Sequence, residues 1–328
     1  MFISLISSDQ VKKPGKLIEK RLGRKLEPYD IWYDGFKARS TIPEKDLTAK
    51  TGKKYSSAAA FHSGINSILT TLGFSTDKAA AISSKIQVDP SRGAGHAWGA
   101  QMRTDKSHLR TRLTPKGMDY KGYNIAIHEL GHNVEQTISL QDVDYYILRG
   151  VPNTAFTEAW AFIFQKRDLE LLEMKDSNPQ KEHLSALNTL WSAFEIMGVS
   201  LVDMKVWNWL YKHPNADKTT LKNAVVRIAR QVWNKYFHGI FPQKDVELLA
   251  VYSHMIDYPL YLPAYPIGHI AEFQIEQQIS GKNLGSEMTR ICSKGKIVPD
   301  LWMKNAAGKP LGISHLINAA QIALKHIK

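Results

Sequence analysis

The sequence has little cysteine and no long apolar run. Cys292 is the single cysteine among 328 residues, so an internal disulfide framework is excluded and the fold does not depend on an oxidising compartment. No apolar run approaches the roughly 18 to 20 residues of a membrane-spanning helix. The first residues, MFISLISS, lack the length and the basic segment of a signal peptide. We therefore expect a soluble cytoplasmic protein without a membrane partner; a fragment of a longer protein would leave its signal peptide outside this sequence.

The sequence also lacks blocks of like charge. Lysine and arginine outnumber aspartate and glutamate by 43 to 31, which gives a net charge of +12, but these residues are spread along the chain. A positive surface attracts nucleic acids, and such binding would be strongly salt-dependent and would need no metal. No zinc-finger, RRM or KH signature accompanies the charge. We interpret it as a solvated, lysine-rich surface and expect no nucleic-acid partner.

One motif near the middle of the chain carries the strongest functional signal. His128-Glu129-Leu130-Gly131-His132 lies within an apolar segment that we predict to be helical from 124 to 140. Residues four apart share one face of a helix, so both imidazoles can bind one metal ion. Glu129 is rotated by about 100°, which places it beside the metal, where it can accept a proton from water. This HExxH pattern is typical of zinc-dependent hydrolysis, although so short a motif also arises by chance.

A single carboxylate lies in the next apolar segment. Residues 154 to 164 predict a helix in which Glu158 has Phe156 and Phe162 as neighbours on either side. A buried carboxylate without a partner is unfavourable. As a third metal ligand, Glu158 would be both charged and satisfied; the alternative is a buried salt bridge with Arg149.

Glycines are concentrated shortly before the motif. Gly93, Gly95 and Gly99 lie within seven residues, a density that is typical of backbone approaching another group closely. No helical pattern follows, so we predict two extended strands or an edge hairpin over residues 94 to 113. An edge strand beside a metal can hold an extended peptide through backbone hydrogen bonds. The candidate substrate-binding residues in this stretch are His96, Ala97, Trp98 and Gly99. For His96, an additional metal ligand and an ordinary strand residue are alternative interpretations.

A second group of polar aromatic residues lies near residue 260. Two histidines and three tyrosines occur between 254 and 269, among prolines that stiffen the backbone. A phenol near a metal can donate a hydrogen bond to the oxyanion that forms when water attacks a carbonyl. The alternative is a tyrosine-rich packing layer with exposed hydroxyls. The candidates in this stretch are His254, Tyr258, Tyr261 and Tyr265.

Helical periodicity dominates the rest of the chain. We predict a helix over 57 to 73 and a short one after Ser75 that ends at Pro90. Further helices are predicted over 184–197, 204–211, 221–236, 246–256, 267–279 and 314–327. The length suits one catalytic domain over 1–328, in which two lobes of roughly 1–180 and 181–328 are possible.

Together these features resemble the gluzincin metallopeptidases, and among them the families related to thimet oligopeptidase, oligoendopeptidase F and angiotensin-converting enzyme. The resemblance covers about residues 91 to 290. It rests on the HELGH motif, on Glu158, which follows His132 by 26 positions, on the glycine-rich strand, and on Tyr265-Pro-Ile-Gly268. Metzincins need a third histidine where this chain has Ile138, and the GxMEN motif of zinc aminopeptidases is absent.

The resemblance implies a mainly α, gluzincin-like (neurolysin-like) catalytic domain with a small β-sheet at the edge of the cleft. It further implies a zinc-dependent oligopeptidase or endopeptidase that hydrolyses short peptides with one zinc ion per chain. The implied ligands are His128, His132 and Glu158, and the implied general base is Glu129. Tyr265 is the first choice for stabilising the oxyanion, with Tyr258 and His254 as alternates. The implied substrate contacts are residues 96–99 and Tyr261.

Two departures from the families qualify this interpretation. Their members are usually much longer, with an added helical half, so this chain is expected to have an open groove or only the catalytic half. Many also carry an acidic residue four positions after the ligand Glu, where this chain has Phe162. The alternative function is a catalytically inactive, zinc-stabilised domain that binds peptides or serves as a scaffold. The intact Glu129 argues against it, because a structural site needs no base.

Overall fold

A computed structural model describes residues 1–174 and 178–327. Within these ranges the chain is mostly helical and forms one three-stranded sheet, so the predicted fold class, mainly α with a small sheet, is confirmed. The helices are α1 (Phe2–Ile6), α2 (Lys12–Leu22), α3 (Glu44–Lys54), α4 (Ala58–Thr71), α5 (Thr76–Ser84), α6 (Tyr120–Asp142), α7 (Thr154–Gln165), α8 (Asp168–Leu171), α9 (Lys181–Lys212), α10 (Lys218–Tyr236), α11 (His254–Asp257), α12 (Ala264–Ile279), α13 (Leu284–Cys292), α14 (Pro299–Ala307) and α15 (Ser314–His326). The strands are β1 (Ile86–Ser91), β2 (His96–Trp98) and β3 (Ser107–Arg112). No helix in the described ranges is both long and apolar enough to cross a membrane.

The contacts divide the chain into two units. The first contains residues 1–38, 178–273 and 312–328, and the second contains residues 39–177 and 274–311. The amino-terminal 38 residues therefore group with a segment from the second half of the sequence. Whether the chain acts as one catalytic domain stays a prediction.

Helix α6 is the centre of the second unit. Asp119 begins it as an N-cap, since its Oδ1 accepts a hydrogen bond from the backbone N–H of Gly122 at 2.7 Å. The helix packs against α7, β3, α3 and α13. Because it contacts neighbours on several sides, most of its residues from Ala126 to Leu140 are buried, including polar ones such as Asn133 and Glu135.

The sheet lies beside α6 in the strand order β1-β3-β2. Strand β3 is parallel to β1, with Ile86 opposite Ser107, and antiparallel to β2, with Ala97 opposite Leu109. The β2–β3 pairing confirms the hairpin that was predicted over 94 to 113. Because β2 is an edge strand of this sheet, one of its two edges pairs with β3 and the other faces away from the sheet.

Helix α9 organises the first unit. It packs against α10 and α15. A buried aromatic cluster joins it to α10 and the following turn, and in it the ring centroids of Phe194 and Phe237 are 4.5 Å apart. Gly198 permits this approach, since an added Cβ would lie 2.4 Å from the Phe237 ring.

Three local predictions were wrong. The helices predicted over 184–197 and 204–211 are one continuous helix, α9, whose residues 196–203 are all buried, so the apolar pattern there is not one-sided. Residues 246–256 form a 3-10 turn and the short α11 instead of one helix. The segment before Pro90 is a helix only to Ser84; residues 86–91 form β1, an edge strand, which tolerates a proline.

Candidate metal centre

Two helices bring three metal-binding side chains together. His128 and His132 project from α6, and Glu158 projects from α7; each offers one ligand atom, and these atoms all lie within 4.8 Å of one another. Glu158 Oε2 lies 3.4 Å from His128 Nε2, and its Oε1 lies 3.6 Å from His132 Nε2. The Glu158 side chain is 1% exposed. Among the described residues this is the cluster of histidine, cysteine and carboxylate groups that has the spacing of a metal site, and His96 is not part of it.

The three residues fit a tetrahedral metal ion. Zinc binds imidazole nitrogen and carboxylate oxygen at about 2.1 Å, so two ligands of one tetrahedral ion lie about 3.4 Å apart. The separations of 3.4 Å and 3.6 Å between the Glu158 oxygens and the Nε2 atoms match this value. Both histidines present the same nitrogen to the shared point. Two imidazoles and one carboxylate are also a donor set that catalytic zinc sites use.

Burial and charge act differently on the two imidazoles. Burial lowers the pKa of His132 to about 4, which keeps that ring in the neutral form that a metal ligand needs. Burial also lowers the pKa of His128, but Glu158, with smaller contributions from Glu129 and Gln165, more than offsets it, so that pKa is raised. Glu158 therefore serves as the counter-charge of the cluster. The alternative partner that we considered, Arg149, places its guanidinium over the ring of Tyr146.

Gly131 allows α6 and α7 to approach closely enough to form the cluster. An added Cβ at this position would lie 2.7 Å from Ala161 Cα and 2.9 Å from Trp160 O. These are backbone atoms of α7, which cannot move away as a flexible side chain can. The glycine within HELGH therefore fixes the distance between the two histidines and the helix that carries Glu158.

Glu129 lies next to the glycine-rich segment. The backbone amide of Ala97 hydrogen-bonds to its carboxylate, and an added Cβ at Gly95 would lie 3.5 Å from its Cγ. Burial raises the pKa of Glu129 to about 7; the nearby His128 and the Ala97 amide lower it, and Glu158 raises it further. A carboxylate with such a pKa can both accept and return a proton near neutral pH.

His132 is oriented by a hydroxyl and a second carboxylate. Its Nδ1 lies 2.9 Å from Thr157 Oγ1, and Thr157 in turn hydrogen-bonds to Glu135. Ser139 Oγ donates to Glu135 at 3.0 Å. Burial raises the pKa of Glu135 to about 7, while the Thr157 and Ser139 hydroxyls lower it.

His128 is oriented by a chain of side-chain amides. Its Nδ1 lies 3.2 Å from Gln165 Oε1, and Gln165 Nε2 donates to Asn124 Oδ1 at 2.8 Å. Asn124 Nδ2 donates to Asp168 Oδ2 at 2.6 Å. Phe162, at the position where many gluzincins have an acid, packs its ring 5.3 Å from the His128 ring and provides no polar contact there.

The predicted substrate residues divide between two faces of β2. Ala97 is half-buried and its backbone amide contacts Glu129, whereas His96 and Trp98 are exposed, with ring centroids 5.9 Å apart. The Arg110 guanidinium lies 5.3 Å above the Trp98 ring. An added Cβ at Gly99 would lie 2.9 Å from Gln136 Oε1 of α6. Their predicted role in substrate binding stays a prediction.

The predicted tyrosines form a cluster within the first unit. Tyr261 is its centre, with ring centroids 4.9 Å from Tyr258, 5.3 Å from Tyr265 and 5.6 Å from His254. Helix α9 holds the segment that carries them: Ser200 Oγ donates to the Leu262 carbonyl at 3.0 Å.

Asp203 of α9 is a further buried anchor for this segment. Its carboxyl group is buried near the backbone amides of Leu260 and Leu262. Burial raises its pKa to about 6, and the two amides lower it. The roles proposed for the tyrosines in stabilising an oxyanion or binding substrate stay predictions.

The sequence contained a signal for the orienting residues that our interpretation did not use. Asn124 precedes His128 by four positions, one helical turn along the same face. Gln165 follows Glu158 by seven, two turns along α7, and Thr157 is adjacent to Glu158. Polar residues at these positions of otherwise apolar helices were candidates for partners of the ligands.

No protein-family model and no curated protein matches the sequence. Solved structures do match the fold. Trypanosoma cruzi metallocarboxypeptidase 1 superposes with a TM-score of 0.60 and 13% identity, over 99% of this chain and 68% of that one. PZ peptidase A matches with a TM-score of 0.58 and 12% identity, over 95% of this chain and 60% of that one.

The relatives in this comparison are longer proteins. A protein from Chlamydophila abortus that is proposed to be a peptidase matches with a TM-score of 0.60 and 16% identity. The match covers 99% of this chain and 54% of that protein, so the chain spans about half its length. At these identities the likeness establishes a common fold.

Proposed function

We propose that this chain, whose fold is that of gluzincin-type metallopeptidases, is a zinc-dependent peptidase that hydrolyses peptide bonds in short peptides. The observation that carries the proposal is the convergence of His128, His132 and Glu158 beside the buried carboxylate of Glu129. The metallopeptidases that share the fold support the same chemistry. One zinc ion per chain follows from the single cluster of this kind among residues 1–174 and 178–327.

His128 Nε2, His132 Nε2 and Glu158 would hold the zinc ion, which would supply a Lewis acid to polarise the substrate carbonyl and acidify water. Glu129 accepts a proton from the attacking water and delivers it to the leaving amine. Thr157 and Gln165 hold the two imidazoles so that their Nε2 atoms face Glu158. We assign oxyanion stabilisation to Tyr265, with Tyr258 and His254 as alternates.

We further propose that β2 holds the substrate backbone. No described strand pairs with the other edge of β2, where an extended peptide would add through the backbone groups that the Ala97–Glu129 contact leaves unused. The backbone amide of Ala97, a residue of β2, orients Glu129. A peptide lying along residues 96–99 would therefore lie close to the base. Tyr261 is the further substrate contact in this proposal.

The test is mass spectrometry of a mixed peptide library incubated with the zinc-loaded protein and, in parallel, with the Glu129→Gln variant. We expect cleavage by the wild type alone, while the variant keeps zinc, because the amide retains the shape of the side chain but cannot accept a proton. The exposed Glu182→Gln is the matched control and should cleave like the wild type. A Glu129→Gln variant that still cleaves would refute the role of this residue.

The same library separates the cleavage types. Cleavage of peptides blocked at both termini supports the oligopeptidase or endopeptidase type that we propose. Removal of single carboxy-terminal residues from unblocked peptides alone would instead indicate a carboxypeptidase, the activity in the name of one protein with this fold. Peptide binding by a folded, zinc-loaded protein without any cleavage would favour the inactive binding or scaffold domain.

A further inference from the structure

We infer that Asp168 is a positioning residue for the metal centre, which acts on His128 through the side-chain amides of Asn124 and Gln165. The inference rests on the proposed function only in taking His128 as a metal ligand. Asp168 itself lies outside the ligand cluster, at the start of α8. Its effect is to keep the carbonyl oxygen of Gln165 turned toward His128.

The first step is the orientation of Asn124. A carboxylate only accepts hydrogen bonds, so Asn124 must turn its NH₂ group toward Asp168 Oδ2, at 2.6 Å. This orientation turns Asn124 Oδ1 the other way, toward Gln165. The acceptor character of Asp168 therefore decides which end of the Asn124 amide faces the metal centre.

The second step repeats this logic at Gln165. Because Asn124 presents an oxygen, Gln165 must donate from Nε2, and the two atoms lie 2.8 Å apart. Gln165 Oε1 is then left facing His128 Nδ1 at 3.2 Å. An oxygen at this position accepts a hydrogen bond from Nδ1–H and leaves the lone pair of Nε2 available for a metal.

Asp168 is held firmly enough to serve as the fixed end of this chain. Its side chain is 7% exposed, and the Tyr120 hydroxyl donates to the same oxygen that Asn124 uses. Its Oδ1 accepts from the backbone N–H of Leu169 at 2.7 Å. The Tyr123 hydroxyl donates to its backbone carbonyl at 2.9 Å. Both carboxylate oxygens are thus fixed by donors, and the orientation of Asn124 follows from them.

The second histidine ligand, His132, offers an internal comparison. His132 faces the hydroxyl of Thr157, which hydrogen-bonds to Glu135, so its support does not pass through Asp168 or the two amides. Changes at Asp168 should therefore affect His128 and leave His132 as it is.

The test is the affinity for zinc, measured by competition with a chromogenic chelator, for the full chain and its Asp168→Asn variant. An asparagine can donate as well as accept, so both amides in the chain can turn over and present NH₂ to His128 Nδ1–H. We expect zinc binding to weaken about 10- to 100-fold, the usual effect of losing such an outer partner. The Asp144→Asn variant, which makes the same change at an exposed aspartate, should bind zinc within about threefold of the wild type.

The decisive comparison is made in a Gln165→Glu background. A carboxylate at 165 accepts from His128 Nδ1–H in either orientation, so Asp168→Asn should then weaken zinc binding by less than about threefold. Asp168→Asn removes one negative charge in both backgrounds, so the effect of that charge on zinc affinity cancels when the two losses are compared. Equal losses in the two backgrounds would overturn the inference, as would an Asp168→Asn variant with unchanged affinity.

Two further measurements keep the inference testable if Asp168→Asn does not fold. Asn124→Ala breaks the chain at its middle and should weaken zinc binding in the same way. In the zinc-loaded, ¹⁵N-histidine-labelled protein, the Nδ1–H of His128 should exchange with water faster in this variant, and that of His132 should not change. An unaltered His128 signal would also refute the inference. None of these measurements requires peptide cleavage, so failure of the proposed function would appear separately, in the peptide library.

Discussion

Gly131 is the residue on which the geometry of the metal centre depends most directly. We expect Gly131→Ala to lower the free energy of unfolding by about 1 to 3 kcal/mol, the usual cost of forcing an extra carbon into a packed interior. The new Cβ would lie 2.7 Å from the α7 backbone, so the helices must separate and Glu158 must move from the histidines. The free energy of unfolding measured in urea and the affinity for zinc should therefore both decrease. Gly239→Ala is the matched control, because a Cβ at 239 would have no heavy atom within 4 Å; equal effects at both positions would contradict this account.

The raised pKa of Glu129 predicts the direction in which peptidase activity changes with pH. The base must be ionised to accept a proton, and burial raises its pKa to about 7. We therefore expect kcat/KM for a peptide to rise with pH on the acidic limb, with a midpoint at or below about 7, since a bound cation favours the carboxylate. Measurement of kcat/KM against pH checks this. An acidic limb that falls as pH increases would be inconsistent with Glu129 as the base.

Helix α6 carries a buried carboxyl group whose titration should be visible in stability. The folded-state pKa of Glu135 is raised from 4.5 to about 7 by burial, and its side chain is 1% exposed. The folded protein thus holds this proton more tightly than the unfolded chain. The resulting stability is present below about pH 4.5 and is lost as pH rises toward about 7, by up to about 3 kcal/mol.

The measurement for Glu135 is chemical denaturation of the metal-free protein across this pH range. In the Glu135→Gln variant this contribution is absent, so the difference in unfolding free energy between variant and wild type should move in favour of the variant as pH increases. A constant difference between the two proteins from acidic to neutral pH would show that Glu135 does not titrate with a raised pKa.

At the scale of elements, the sequence predicted helices where one face is apolar and the other polar. The helix around HELGH and the helix around Glu158 were instead predicted as apolar segments that carry a few polar residues, and they are α6 and α7. The continuity of α9 was missed because residues 196–203 are all buried, so no one-sided apolar pattern runs through the middle of the helix. Strand β1 was missed because a short strand next to a helix has no period long enough to recognise. Helical spacing placed Asn124 and Gln165 on the same faces as the ligands, but the hydrogen bonds that join α6 to α7 and α8 are contacts that spacing does not specify.

At the scale of the whole molecule, the metal should contribute to global stability. A ligand that binds only the folded state adds about 2.7 kcal/mol when its concentration is a hundred times its dissociation constant. We expect a chelator to lower the melting temperature of the protein and zinc to restore it. In the Glu158→Gln variant, which loses the counter-charge of the cluster, zinc should raise the melting temperature much less. Equal zinc-dependent shifts in both proteins would place the stabilising metal elsewhere.

Which residues complete the site beyond the metal ligands could be predicted only in part. Sequence spacing brought His128, His132 and Glu158 together correctly, since all three lie on two consecutive helices. The tyrosines near residue 260 are more than 90 positions from Glu158, and no periodic pattern relates such distant segments. Their mutual packing is a property of the first unit, and their chemical roles remain the predictions made from the resemblance.

The metal centre has one property that concerns protein design more than enzymology. The candidate ligands, the candidate base and the side chains that orient both imidazoles all lie within residues 119–168, a single uninterrupted segment that α6 and α7 dominate. Most metal sites assembled from distant parts of a chain cannot be moved without the rest of the scaffold. Here a helical hairpin cut at Asp119 and Asp168 carries its own cap, its glycine contact and both supports. The segment is therefore a starting point for grafting a three-ligand metal site onto a helical host that covers the faces of α6 buried here by α3, α13 and β3.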